Sequence, residues 1–159
     1  MALYEDARFI QLLADLTGKP QLYTMGDPLA RVNVMVYREG EALNWHFDRS
    51  EFTTTILLEA PEDGGAFEYR PALRTATNAN YDGVAKLLRG EDREVRSVTL
   101  RPGALNIFKG RNTAHRVTPP RGRTPRVIAV LSYYETPGVM FSAEERIGFY
   151  GRAGQARTY

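Results

Sequence analysis

Hydrophobic residues recur along this chain with two different periods, and the switches between them outline its elements. In residues 5–16, Phe9, Leu12, Leu13 and Leu16 fall on one stripe of a 3.6-residue repeat. That spacing predicts an amphipathic helix, stopped by Gly18 and Pro20. Val32, Val34 and Val36 instead alternate with more polar neighbours, which is the period of a strand. "REGE" at 38–41 reads as a turn, and the strand pattern resumes over 42–48. "FTTTILLE" (52–59) and "AFEYR" (66–70) are strands on either side of the turn "PEDGG" (61–65). Residues 80–90 carry a second helical pattern ended by Gly90. Further strands are predicted at 95–100, at 104–108, around His115, and over 126–134. "SAEE" at 142–145 has capping-box spacing and predicts one last helical turn.

Many short strands punctuated by Gly and Pro, with a helix on either side, predict a mainly β protein with flanking helices. Within that class the expected architecture is a double-stranded β-helix, the cupin-like jelly roll. Neither an internal repeat nor a linker divides the sequence. Its 159 residues suffice for one buried core. A single domain over 1–159 is therefore expected, with a short N-terminal helical segment (1–28) and a jelly-roll core (29–150).

Composition removes several kinds of chemistry. The chain has no cysteine, so disulfides, thiolate metal sites and thiol nucleophiles are excluded, and any metal must be held by imidazole and carboxylate. "MALYEDARF" lacks the apolar core of a secretory leader, and the longest aliphatic run, "VIAVL" (127–131), cannot span a bilayer. The expectation is a cytoplasmic protein without a membrane partner. Eighteen of the 21 basic residues are arginine, and six basic residues with no acid fall in 109–126, around His115. A net charge of +2 is modest for a nucleic-acid binder, so a small anionic ligand is the better reason for that local field.

The chain has two histidines, and one lies in "NWHFD". On a strand, residues two apart share a face, which puts His46 and Asp48 side by side, about 7 Å apart, with Asn44 beside them. Leu43, Trp45 and Phe47 then cover the other face. One more imidazole from a distant strand would complete a two-histidine, one-carboxylate site, which leaves coordination positions open and suits non-haem Fe(II). His115 is the remaining candidate. An H-x-D pair alone is a weak signal. Arg126, at the start of a strand with an inward face, needs an anionic partner if buried, and a carboxylate would match its planar fork.

Together, H-x-D, "PG-x-L-x-x-F" before a distal His, "H-x-V-x-P", and an Arg eleven residues further on resemble the iron(II)/2-oxoglutarate-dependent oxygenases. More narrowly, the chain resembles the branch that holds the free-standing amino-acid halogenases and their hydroxylase relatives. The likeness spans roughly residues 30–150. It implies His46, Asp48 and His115 as iron ligands, and Arg126, with Arg123 as fallback, as the partner of the far carboxylate of 2-oxoglutarate. It also implies O2 as oxidant, succinate and CO2 as products, and oxidation of a C–H bond of a small molecule such as an amino acid or its derivative. Halogenases of this branch have a small residue where Asp48 stands, so hydroxylation or a related oxidation is expected. Trp45, Phe67, Phe108, Tyr133 and Tyr134 are candidate pocket walls. Asn44, Arg49 and Arg74 are candidate substrate contacts, with a salt bridge to Glu68 or Asp82 as the plain alternative for Arg74. Relatives carry a longer helical portion before their first strands, which leaves open a homodimer partner, a bulky substrate or a less active short form. Two other readings stand beside the oxygenase: a non-redox, cupin-like metal- or sugar-binding module, and an oxygenase of the nucleic-acid demethylase type.

Overall fold

The computed structural model describes residues 2–151. In chain order its elements are α1 (Ala2–Glu5), α2 (Ala7–Thr17), β1 (Tyr23–Thr24), β2 (Val32–Tyr37), β3 (Leu43–His46), β4 (Thr53–Glu59), β5 (Asp63–Gly64) and β6 (Phe67–Arg70). They continue with α3 (Tyr81–Leu88), β7 (Arg96–Val98), β8 (Leu105–Phe108), β9 (Ala114–Val117), β10 (Pro120–Arg121), β11 (Arg126–Leu131), β12 (Tyr133–Tyr134) and α4 (Ala143–Tyr150). The protein is mainly β, and its strand ladders with a defined register are antiparallel. Two four-stranded sheets dominate, ordered β2-β11-β4-β8 and β3-β9-β6-β7. No helix among the described residues is long and apolar enough to cross a membrane.

The chain divides into two compact units: residues Val34–Ala129, and the two chain ends, Met1–Asn33 with Val130–Tyr159. In the unit of the ends, α2 begins where the Asp6 carboxylate accepts hydrogen bonds from the amides of Arg8 and Phe9, and it ends at Gly18 in the left-handed conformation. Its buried positions are Leu13 and Ala14, whereas Leu12 and Leu16 are exposed. The expected stripe is thus rotated: the helix turns Ile10, Leu13, Ala14 and Thr17 inward, another set at i, i+3, i+4 and i+7. Tyr4 and Tyr133 form the centre of this unit. Their rings lie 4.9 Å apart, and the Tyr133 hydroxyl donates to the Tyr4 carbonyl. Burial raises the pKa of both phenols. Tyr133 is therefore a core residue of this unit, packed against Tyr4. Asp27, fully buried, accepts from the amides of Leu29 and Phe141 and from Arg146 Nε, which ties the 25–31 loop to α4. The capping box forms at Ser142 and Glu145, and the helix it opens runs eight residues instead of the single turn expected.

In the unit of residues 34–129, a cluster of Leu73, Leu87 and Ala114 gathers Trp45, Phe47, Val84 and Val95, placing α3 against one face of the β3-β9-β6-β7 sheet. This is the face that Trp45 and Phe47 were expected to cover. Trp45 is accordingly part of that cluster, with the Arg116 guanidinium 4.8 Å from its ring. The turn at 61–65 holds the short strand β5, which pairs with β10.

Candidate metal centre

The strand expected over 42–48 stops at His46. Between Leu43 and His46 the register with β9 slips by one residue, a bulge that sets His46 directly opposite His115. Directly opposed residues of an antiparallel pair project from the same face. The two imidazoles meet there, with ring centroids 4.0 Å apart. Across the other edge of β9, Tyr69 is opposite His115, so His46, His115 and Tyr69 form one cross-strand row.

Asp48 lies past the strand end, and its position comes from tertiary contacts rather than pleat alternation. Its amide donates to the Gly110 carbonyl over 3.1 Å, and its Oδ2 accepts a short hydrogen bond from the Thr53 hydroxyl. Asp48 Oδ1 is then 3.6 Å from His46 Nε2, and Oδ2 is 3.3 Å from His115 Nε2. One donor atom from each of the three residues falls within 4.8 Å of the others.

Both Nδ1 atoms face backbone carbonyls, His46 on Asn44 at 2.8 Å and His115 on Thr113 at 2.9 Å. A carbonyl can only accept, so in the neutral imidazoles Nδ1 carries the hydrogen and Nε2 presents its lone pair toward Asp48. Burial, and then the neighbouring His115, push the His46 pKa down against the opposing pull of the Asn44 carbonyl and Asp48, which favours the neutral ligating form. For Asp48, burial pushes the pKa up, but the hydrogen bonds and charges of His115, Thr53 and His46 outweigh it and hold the carboxyl below its usual range. The cluster thus combines two neutral donors with one anionic donor. His115 is buried, packed by Phe108 at 4.6 Å and Phe67 at 5.7 Å, while His46 and Asp48 remain partly open.

Gly110 is the neighbour that makes this arrangement sterically feasible. A Cβ on it would sit 2.8 Å from Asp48 Cβ and closer still to the Thr53 hydroxyl and Asp48 Oδ2. Gly110→Ala should therefore displace the carboxylate and lower metal affinity about ten- to a hundredfold in a folded protein. Competitive metal titration checks this, and unchanged affinity would mean the loop relaxes at no cost to the site.

Arg126 is 1% exposed, although a guanidinium is seldom so buried without a counterion. Nε donates to the Gly65 carbonyl over 3.1 Å, and the Tyr37 ring lies 5.9 Å away. Nη1 is buried with no hydrogen-bond partner. Burial lowers the Arg126 pKa, with Tyr37 acting the other way. Arg123 is exposed, and its amide donates to Glu62.

The three candidate substrate residues are not brought to the triad as side chains. Asn44 is exposed and meets the site through its carbonyl. The Arg49 carbonyl accepts from Arg111 Nε and Nη2. Arg74 stacks 3.8 Å over Phe47, on the side opposite the imidazoles, and donates to the Arg111 carbonyl. It lines a cleft of about 410 Å³ whose walls include none of the triad. Neither Glu68 nor Asp82 is the partner shown for it; Glu68 pairs with Arg116 at 2.6 Å. Sequence reasoning missed Thr53, Gly110 and Tyr69. Thr53 alone had a signal, as a polar residue on the buried face of a β-rich run.

A model of the Halogenase D family matches residues 1–143. No curated protein matches the chain significantly. Among solved structures, a 2OG-Fe(II) oxygenase family oxidoreductase from Burkholderia pseudomallei superposes with a TM-score of 0.63 at 19% identity, over 87% of this chain and 57% of that one. HygX from Streptomyces hygroscopicus, solved with iron bound, gives 0.53 at 12%, over 87% of this chain and 67% of that one. PvcB, an Fe, alpha-ketoglutarate-dependent oxygenase from an isonitrile synthetic pathway, gives 0.52 at 15%, over 80% and 70%. At these identities the likeness is one of fold, and the chain spans little more than half the Burkholderia protein.

Proposed function

Since the chain belongs to the Halogenase D family, we propose that it is an iron(II)- and 2-oxoglutarate-dependent oxygenase that hydroxylates a small molecule, with release of succinate and CO2. The observation that carries this reading is the convergence of His46 Nε2, His115 Nε2 and the Asp48 carboxylate on one point. Two imidazoles and one carboxylate are the donor set that suits Fe(II) and leaves positions free for other ligands. The two four-stranded sheets fit the halves of a double-stranded β-helix with the triad on an inward face.

Each residue then has a defined task. His46 and His115 hold the metal through nitrogens already oriented by their carbonyl partners. Asp48 supplies the negative ligand, and Thr53 and Gly110 keep its carboxylate in place. Arg126 receives the far carboxylate of 2-oxoglutarate, which gives its buried Nη1 the acceptor it lacks. Phe67 and Phe108 keep water from the His115 side. The bound iron supplies activation of O2 at the cost of the 2-oxo acid. Because Asp48 occupies the position that halogenation needs vacant, the proposed outcome is hydroxylation. A nucleic-acid substrate is disfavoured by the basic run itself. Arg121 pairs with Asp63 and Arg116 with Glu68, and Arg126 is buried, which removes three of its six cations from any continuous stripe.

The test is addition of Fe(II) and 2-oxoglutarate without oxygen, with a weak visible charge-transfer band expected, followed by oxygen-dependent succinate release over a panel of amino acids and other metabolites. A metal- or sugar-binding module would give neither. Asp48→Gly should keep the band, lose hydroxylation, and gain a halide-dependent shift of the absorption. Full hydroxylation by a folded Asp48→Gly protein would sink the mechanism.

A further inference from the structure

Among the described residues, two buried side-chain polar atoms lack a hydrogen-bond partner: Arg126 Nη1 and Thr55 Oγ1. The first has its explanation above. The second does not, and a buried hydroxyl without a partner is costly to keep. Thr55 is 6% exposed, in the middle of β4, and β4 is hydrogen-bonded to β11, the strand that carries Arg126.

The direction in which Thr55 faces follows from register. Thr53 and Thr55 are two apart on β4 and share a face. Thr53 holds Asp48, so this is the face of the metal cluster. The facing strand agrees: Thr53 is opposite Phe108 and Thr55 opposite Asn106, and Phe108 packs on His115. Thr55 therefore stands one strand repeat, roughly 7 Å, beyond the residue that clamps the carboxylate ligand. The Thr53 hydroxyl is consumed by Asp48, whereas that of Thr55 is not satisfied even by Asn106 across the ladder.

We propose that Thr55 is a co-substrate-binding residue whose hydroxyl donates to the far carboxylate of 2-oxoglutarate alongside Arg126. This rests on the oxygenase reading above and adds to it a specific determinant of diacid over monoacid co-substrates. One carboxylate satisfies both orphaned atoms, because each is a donor and a carboxylate offers several lone pairs. The hydroxyl discriminates for a second reason. With a 2-oxo monoacid of the same length it would face a methyl group and stay unpaired, a penalty that favours the diacid.

Thr55→Val is nearly isosteric and removes only the hydroxyl. In the Fe(II)-loaded, anaerobic full-length protein, 2-oxoglutarate affinity read from the charge-transfer band should fall about ten- to a hundredfold. Iron affinity should stay unchanged, and binding of 2-oxopentanoate, which lacks the far carboxylate, should hold or improve. Thr55→Ser should bind 2-oxoglutarate nearly as the wild type does. Without ligand, Thr55→Val should melt higher than wild type, since an unsatisfied buried hydroxyl has been removed. Equal 2-oxoglutarate affinity in wild type and Thr55→Val would overturn the proposal, as would equal losses for both oxo acids, which would place the hydroxyl at the keto end. A wild-type protein that bound iron but no 2-oxoglutarate would overturn the oxygenase reading itself.

Discussion

His115→Ala should abolish stable iron binding and with it all 2-oxoglutarate turnover, and His46→Ala should do the same. In either variant only one imidazole and the Asp48 carboxylate remain, too few donors to hold Fe(II) in a defined geometry with open positions. The two substitutions should differ in stability. His115 is buried between Phe67 and Phe108, so truncation leaves a void and costs about 1–3 kcal/mol. His46 keeps 31% of its side chain exposed and should cost less. Both losses fall short of the roughly 5–15 kcal/mol of a typical domain, so both proteins should fold. Iron content after anaerobic reconstitution, alongside a thermal melt, separates the ligand role from the structural one. Near-normal iron and succinate in either folded variant would refute the triad.

Arg126→Ala should leave iron binding almost intact and raise the 2-oxoglutarate requirement tens- to several-hundredfold. A charge-assisted contact in a desolvated site is worth about 2–4 kcal/mol, and at 1.4 kcal/mol per tenfold this gives the stated range. Arg126→Lys should restore part of the loss, because an ammonium keeps the charge and not the planar fork. Removing the guanidinium also removes a buried cation whose Nη1 has no partner, so the ligand-free Arg126→Ala protein should lose little stability. Titration of the charge-transfer band with 2-oxoglutarate gives the affinity directly. If it is unchanged in Arg126→Ala and lost in Arg123→Ala, the anion partner is Arg123 despite its exposure.

Much of this protein could be read from local pattern. The Ser142–Glu145 capping box, the Gly18 stop, the alternation in β2 and the turns around the short strands follow from the conformational preferences of a few adjacent residues, and such preferences act in any context. The identity of the metal ligands was legible for a different reason. With two histidines and no cysteine, few donor sets can be assembled, and the spacing from His46 to Arg126 carries a family pattern. Other features depend on partners far away in sequence. Helix α2 has two leucines that fit its stripe, Leu12 and Leu16, yet it buries Leu13 and Ala14, because the rotation of a helix is chosen by what it packs against. No local signal in "LNWH" announces the bulge that sets His46 opposite His115, since register is a property of two strands. Asp48 had been placed beside His46 by pleat alternation, but the strand ends first, and the carboxylate is positioned by Thr53 and Gly110, five and sixty-two residues away. The chain's own residue types determined which chemistry was available, while the tertiary structure decided which atoms meet, because a hydrogen bond or a steric contact exists only once two distant segments share the same few ångströms.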